Sequence, residues 1–419
     1  MNSQVRPLKI LLHDYSGHAF TAQLARQFAK LGNQVVYVSF AGFASPKGRV
    51  GAGLSDPPGF KAVELDLDTR FDKENLFRRG WQQRQYVRRV KALALEERPD
   101  AVISANAPLE VQRALLESCN ALGGRFVFWL QDIHSEAIKL ILSRKNRLLG
   151  RMAGLYYRRI ETRTLRESHA VVAIAEAFRD MLSEWGIDTG RVSVIENWAA
   201  INDIPLKPSD NDWVKVNMPG SRPRVVYSGT LARKHNPDVI LHLARNLDAD
   251  FYVFSEGKAP NHIREAAAAE GLDNVFVRKW VPVEHFPDML AGADILFVMI
   301  EQEAAVFSVP SKILSYLAAG RPILASIPED NLASRTIRSA GAGLVSSPND
   351  LEGLVADARR LLADGRLCRQ LGESGRKHAE RKFDIEAIAL RFLDILTKAG
   401  PWRDEESSVV VPPVRDRIA

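Results

Sequence analysis

Along this chain of 419 residues, short apolar runs alternate with stretches of helical spacing, and the alternation happens twice. Leu8 to His13 is an apolar run short enough for a strand buried on both faces. Phe20, Leu24, Phe28 and Leu31 then recur at helical spacing until Gly32 stops the helix. Gln34–Phe40, Ala101–Ser104, Phe126–Leu130 and Ala170–Ala175 read as further strands with helices between them. Pro205, Pro208, Pro219, Gly220 and Pro223 then interrupt the pattern, which restarts with Arg224–Ser228. A helix over Pro237–Ala244 follows, with strands over Phe251–Phe254, Val275–Val277, Ile295–Met299 and Pro322–Ala325. A repeated β-α-β pattern predicts a doubly wound parallel sheet, here twice in tandem. Two such sheets put a cleft between their carboxyl ends, where open α/β sheets bind ligands.

Composition excludes several classes. With 46% hydrophobic and 26% charged residues, the chain is an ordinary globular one. Its two cysteines, Cys119 and Cys368, stand far apart without a CxxC partner, against a disulfide framework or a thiolate zinc site. No apolar run reaches the ~18 residues of a membrane span, and the opening MNSQVRPLKILLHDY is too short in apolar residues for a signal peptide. Cytosolic residence is therefore expected. The formal charge of +6 is modest, so only its distribution can point to an anionic partner.

The loops after the strands carry the candidate chemistry. After the first strand come His13-Asp14-Tyr15-Ser16-Gly17-His18 and then a helix, whose free N–H groups suit phosphate or sugar hydroxyls. This is not GxGxxG, and by itself it also reads as an ordinary βα turn. The second half opens the same way: Tyr227-Ser228-Gly229, then Arg233 and Lys234, a glycine for close backbone approach followed by two cations, as a diphosphate site requires. Further on, Phe307-Ser308-Val309-Pro310-Ser311-Lys312-Ile313-Leu314-Ser315-Tyr316-Leu317-Ala318-Ala319-Gly320-Arg321-Pro322-Ile323-Leu324-Ala325 reads as a short helix aimed into the cleft. Lys312 in its first turn opposes the helix dipole unless an anion lies between them. In the first half, Trp129-Leu130-Gln131-Asp132-Ile133-His134 runs from a strand into a polar loop and places Asp132 and His134 toward the cleft; Asn106 follows another strand.

The 307–325 stretch resembles the donor-site signature of glycosyltransferase family 4, within the GT-B fold. More narrowly, it looks like the branch that includes fucosamine-type transferases of O-antigen, capsule and colanic acid assembly. Val225–Gly229 with Arg233-Lys234, the segment VISANAP, WLQD, and Ile327-Pro328-Glu329-Asp330-Asn331 share the resemblance, which runs from about residue 8 to about residue 398. The resemblance implies an α/β GT-B protein of two Rossmann-like domains. Residues 1–201 would be the acceptor-binding domain, 202–223 a linker and 224–380 the nucleotide-sugar-binding domain. Residues 381–399 would be a C-terminal helix packing back toward the first domain, and 400–419 a disordered tail. It further implies a retaining transferase that moves a sugar from a UDP-sugar to a lipid-linked or growing surface glycan. Gly17, Gly229, Arg233, Lys234, Ser308, Pro310, Ser311, Lys312 and Ser315 would bind the donor, and Asp132, His134, Arg233 and Lys234 would serve catalysis.

One departure stands out. Typical members carry two glutamates eight positions apart around this helix, and the corresponding residues here are Phe307 and Ser315. Ser315 is able to hydrogen-bond a ribose, but Phe307 replaces no carboxylate; Glu301 and Glu303 lie just upstream. Two rival readings therefore stay open: a GT-B nucleotide-sugar epimerase, and a non-catalytic sugar-nucleotide-binding subunit. No metal cofactor is expected, since the cations supply the charge, although Asp66-Leu67-Asp68 and Asp248-Ala249-Asp250 have the DxD form. Basic residues interleaved with apolar ones between Lys139 and Arg166, and between Phe77 and Lys91, suit an anionic membrane surface at the inner face of the membrane. No recognised nucleic-acid motif accompanies them.

Overall fold

The computed structural model describes residues 6–42, 50–69, 76–143, 146–231, 235–304 and 309–398. Arg233, Lys234, Phe307, Ser308, Arg144, Lys145 and the tail after residue 398 lie outside the described residues.

Among the described residues thirteen strands form two sheets. The first contains β1 (Lys9–Asp14), β2 (Gln34–Phe40), β3 (Phe60–Leu65), β4 (Ala101–Ala105), β5 (Arg125–Leu130), β6 (Ala170–Ala173) and β7 (Val192–Val194) in the order β3-β2-β1-β4-β5-β6-β7. The second contains β8 (Arg224–Ser228), β9 (Asp250–Phe254), β10 (Val275–Arg278), β11 (Ile295–Met299), β12 (Ile323–Ser326) and β13 (Gly343–Ser346) in the order β10-β9-β8-β11-β12-β13. Every pairing is parallel. β1, β4, β5 and β11 are buried along almost their whole lengths, as continuous apolar runs require under helices on both faces. β3, β7 and β13 have mixed burial and weak apolar patterns, and sequence periodicity did not predict them.

The topology fixes where a ligand fits. Strand order reverses between β1 and β4 in one sheet and between β8 and β11 in the other. The loops leaving these strands diverge there and open a crevice at the carboxyl edge.

Residues 202–223 are more structured than a simple linker. They include the Asp212–Asn217 helix, whose start is capped by the Asn211 side chain, and Val214 and Met218 are fully buried. The Ile385–Lys398 helix packs on the first domain: Phe392 sits 4.8 Å from the Trp129 ring and 6.4 Å from Phe28. Arg125 of β5 donates to the carbonyls of Leu396 and Thr397, and Arg391 donates to the Val194 carbonyl at 2.7 Å. Arg376 of the Gly365–Lys382 helix ties the 202–223 connection to the second domain, donating to Ala318 and Ile204 carbonyls at 2.6 and 2.8 Å.

Candidate active site

In the first domain the site is built around a buried carboxylate. Asp14 ends β1, has no solvent exposure, and receives the backbone N–H groups of Ser16 and His18, the Thr21 hydroxyl at 2.6 Å and Asn106 Nδ2 at 3.1 Å. The His18 ring lies 3.0 Å away. Burial alone would raise the Asp14 pKa, but the His18 charge and the donors around it outweigh burial and hold it at about 2. Gly17 turns the chain at φ +70°, donating its N–H to the Asp14 carbonyl. Asn106 holds φ +50° just after β4, a conformation few side chains adopt. Its bond to Asp14 therefore ties β1 to β4 across the switch point. Beneath, His13 bridges Ser104 Oγ at 3.0 Å and Tyr86 OH at 2.9 Å, and burial pushes its pKa down to about 4, leaving a neutral ring.

In the second domain the corresponding switch point joins Gly229 to Lys312. Gly229 follows β8 at φ +127°, and a Cβ added there would lie 3.1 Å from Lys312 Cε. Lys312 is the first residue of the Lys312–Ala319 helix, and its Nζ sits 4.7 Å from the Tyr227 ring centroid. That cation–π contact partly answers the lysine's conflict with the helix dipole, which sequence alone had left to an anion. Tyr316 fastens the helix to β8 by accepting from the Ser228 N–H at 3.1 Å. Ser311 is exposed, Pro310 is buried, and Ser315 is half-buried one turn along the helix.

A cavity of about 270 Å³ opens between the halves, lined by Glu176, Asn197, Pro310, Ser311, His378 and Arg391 among others. Gly17, Asp132, His134, Gly229 and Lys312 do not line it, so the cavity is a neighbour of the two switch points rather than their meeting place. The β5 loop reaches the cavity wall through Gln131, whose amide pairs reciprocally with Asn197 at 3.0 and 2.5 Å. Asp132, next to it, is half-buried. The start of the next helix is held by Glu161: this fully buried carboxylate accepts the N–H groups of His134 and Ser135 at 2.9 and 3.1 Å. Burial raises the Glu161 pKa, and His134, whose Nδ1 is 4.0 Å away, opposes that shift. Glu161 had no sequence signal, because it lies mid-helix among arginines.

Neither DxD segment is arranged as a metal site. Asp68 pairs with Arg89 at 2.5 Å, and Asp250 faces Arg222 at 3.4 Å. Among the described residues no group of three or more His, Cys, Asp or Glu converges as metal ligands.

Comparison with known proteins places this geometry. Residues 17–198 match the family described as "Glycosyl transferase 4-like domain", and residues 209–378 match "Glycosyl transferases group 1". WbjE of Pseudomonas aeruginosa, a probable glycosyltransferase, is 24% identical over 289 residues, covering 67% of this chain and 71% of WbjE. An exopolysaccharide phosphotransferase of Streptomyces coelicolor is 28% identical over 153 residues, covering 36% of this chain but 16% of that protein. In fold, sucrose-phosphate synthase of Thermosynechococcus elongatus superposes with a TM-score of 0.72 at 16% identity, over 93% of this chain and 98% of the synthase. HepE of Anabaena, in complex with UDP and glucose, superposes with a TM-score of 0.69 at 14% identity, over 93% of this chain and 100% of HepE.

Proposed function

The chain belongs to the GT-B glycosyltransferases of the family 4 type, and from that premise we propose that it transfers a sugar from a UDP-linked donor to a lipid-linked or growing surface polysaccharide. The observation that carries this reading is the contact of Lys312 with Gly229 across the β8/β11 switch point. It sets a cation and a helix N-terminus against a backbone that a diphosphate can approach closely. HepE, similar in fold, is bound to UDP, which supports a uridine nucleotide. The resemblance to the exopolysaccharide protein supports a polysaccharide product.

Departure of a nucleoside diphosphate leaves negative charge on the β-phosphate. Lys312, the amides at the start of its helix, and Arg233 and Lys234, which follow Gly229 in sequence, would stabilise that charge. With these cations and helix amides supplying the positive charge, the reading needs no divalent metal. Asp132 and His134 would orient the acceptor hydroxyl from the opposite half. The leaving phosphate would take the acceptor proton, giving retention at the anomeric carbon. A lipid-linked acceptor would be met at the inner membrane face by peripheral attachment; among the described residues no helix is long and apolar enough to cross a membrane.

Isothermal titration with UDP, ADP and GDP tests the donor site, followed by turnover with UDP-sugars in excess EDTA. Wild type should bind UDP, and Lys312→Ala should weaken binding by about 10–100-fold, as loss of a charge-assisted hydrogen bond does. Unchanged affinity of Lys312→Ala for every nucleotide that binds wild type would refute the site. Loss of turnover in EDTA, restored by magnesium or manganese, would refute metal independence. UDP release that requires an acceptor separates transfer from epimerisation.

A further inference from the structure

The helix pair His134–Ser143 and Arg147–Glu167 is packed inside out. Where the two helices meet, the longer one presents glycines. A Cβ on Gly150 would lie 2.5 Å from the Ser143 backbone nitrogen, and one on Gly154 would lie 2.8 Å from Lys139 Cβ. Its inner side also carries Thr164, Leu165 and the buried Glu161 that holds the start of the shorter helix. The large apolar side chains point the other way. Leu148 is 68% exposed, Leu149 51%, Met152 63%, Leu155 57% and Tyr156 61%. At 100° per residue these five fall within about 120° of the helix circumference. Scattered exposed apolar residues are ordinary, but a continuous stripe on a helix that buries glycines is not.

Charge identifies the medium. From Arg147 to Ile160 the charged residues are Arg147, Arg151, Arg158 and Arg159, with no acid among them. All four are exposed. Arg158 stacks over the Trp185 ring, while Arg147, Arg151 and Arg159 have no ion-pair partner among the described residues. Arg147, Arg151 and Arg158 run along one flank of the stripe, and Arg159 rises through it. By contrast Arg163, beyond the stripe, is paired with Glu167 at 2.7 Å. Apolar side chains bordered by unpaired arginines complement a bilayer with anionic headgroups, the arginines reaching phosphate while their stems lie along the apolar surface.

We propose that Leu148, Leu149, Met152, Leu155 and Tyr156 form a ridge that inserts into the headgroup region of an anionic membrane, with Arg147, Arg151, Arg158 and Arg159 as its electrostatic collar. The inference deepens the proposed function and rests on it for its purpose, delivery of a lipid-linked acceptor. Vesicle binding without donor or acceptor reads the ridge alone, whereas nucleotide titration reads the donor site alone.

The experiment is co-sedimentation of the full chain with vesicles of phosphatidylcholine, with and without phosphatidylglycerol, at low and high salt. Wild type should bind the anionic vesicles at least tenfold more tightly than the neutral ones. Leu148→Gln/Leu149→Gln/Met152→Gln/Leu155→Gln should lose at least tenfold in binding while keeping the wild-type melting temperature and UDP affinity. Arg147→Gln/Arg151→Gln should lose about 25-fold, roughly fivefold for each arginine, and its remaining binding should be less sensitive to salt. Failure of wild type to bind anionic vesicles at low salt would overturn the proposal, as would an apolar quadruple variant that binds as well as wild type. Light scattering in the absence of vesicles supplies the other arm. A wild-type dimer that the quadruple variant abolishes would assign the ridge to a second copy of the chain, and so would overturn the membrane reading; a monomer in both supports it.

Discussion

Gly229→Ala is the sharpest test of the donor-site geometry, because one added methyl group meets two independent constraints. The first is conformational. At φ +127° the backbone occupies a region that is essentially glycine's own, and holding alanine there costs of order 1–3 kcal/mol. The second is steric. The new Cβ would stand 3.1 Å from Lys312 Cε and 3.6 Å from its Nζ, so the lysine must give by a few tenths of an ångström. The first effect is read as stability, at about 2–4 °C of melting temperature per kcal/mol for a domain of this size. The second is read as UDP affinity, where complete loss of the ammonium contact, about 1.5–3 kcal/mol, is the upper bound. A double-mutant cycle separates them. Lys312→Ala should lose affinity together with the stability of its own contacts, that with the Tyr227 ring among them. If alanine at 229 acts on binding through the lysine, Gly229→Ala/Lys312→Ala should bind UDP as Lys312→Ala does, with the melting temperature lowered by strain alone. Fully additive losses of affinity would refute the argument, because they would mean that the glycine and the lysine serve the nucleotide separately.

Two further predictions concern the buried groups behind β1. Asp14 is held at about 2 from an ordinary 3.8, so its contribution, roughly 2 kcal/mol, is present above pH 3.8 and is lost as pH falls toward 2; in Asp14→Asn, urea midpoints should be lower at pH 5 and should fall less between pH 4 and 2, and an unchanged slope would contradict the ion-pair account. His13 is pushed down to about 4 from 6.5, so it favours the folded state above pH 6.5, and roughly 3 kcal/mol is lost as pH falls from 6.5 to 4; His13→Gln, which keeps bonding capacity toward Ser104 and Tyr86, should flatten the urea midpoint across that window, and a wild-type slope would show that His13 does not titrate as its burial requires.

The fold was legible where burial is complete. β1, β4, β5, β8, β9 and β11 lie deep in their sheets, so their sequences are continuous apolar runs that need no partner to be recognised. β3, β10 and β13 stand at or beside sheet edges, yet only β10 announced itself, through Val275, Phe276 and Val277. β7 has three residues, too few for any period, and only its pairing with β6 makes it a strand. The Pro-rich stretch misled in a different way. Its prolines do break helical and strand periodicity, but Val214 and Met218 show that a proline-broken segment can still hold a short helix that is buried, with Asn211 capping its start.

The candidate site was legible to the extent that it depends on strand ends. A residue just after a strand reaches the carboxyl edge whatever the rest of the chain does, which is why Gly17, Gly229, Asp132 and His134 stand out in sequence. Which strand ends face each other is a matter of strand order, and strand order is invisible to local pattern. Asp14 and Asn106 are 92 residues apart, and Gly229 and Lys312 belong to segments separated by two complete β-α units. They meet because β1 lies beside β4 and β8 beside β11. The same logic explains Glu161. Nothing within its own helix marks it, since its partners, the N–H groups of His134 and Ser135, arrive from another helix 26 and 27 residues earlier. A buried carboxylate that satisfies another helix's first amides fixes where His134 stands without itself needing to face the cleft. The candidate ligand-facing residues are thus announced by their place on the strands, whereas the residues that hold them in position become visible only through long-range contacts.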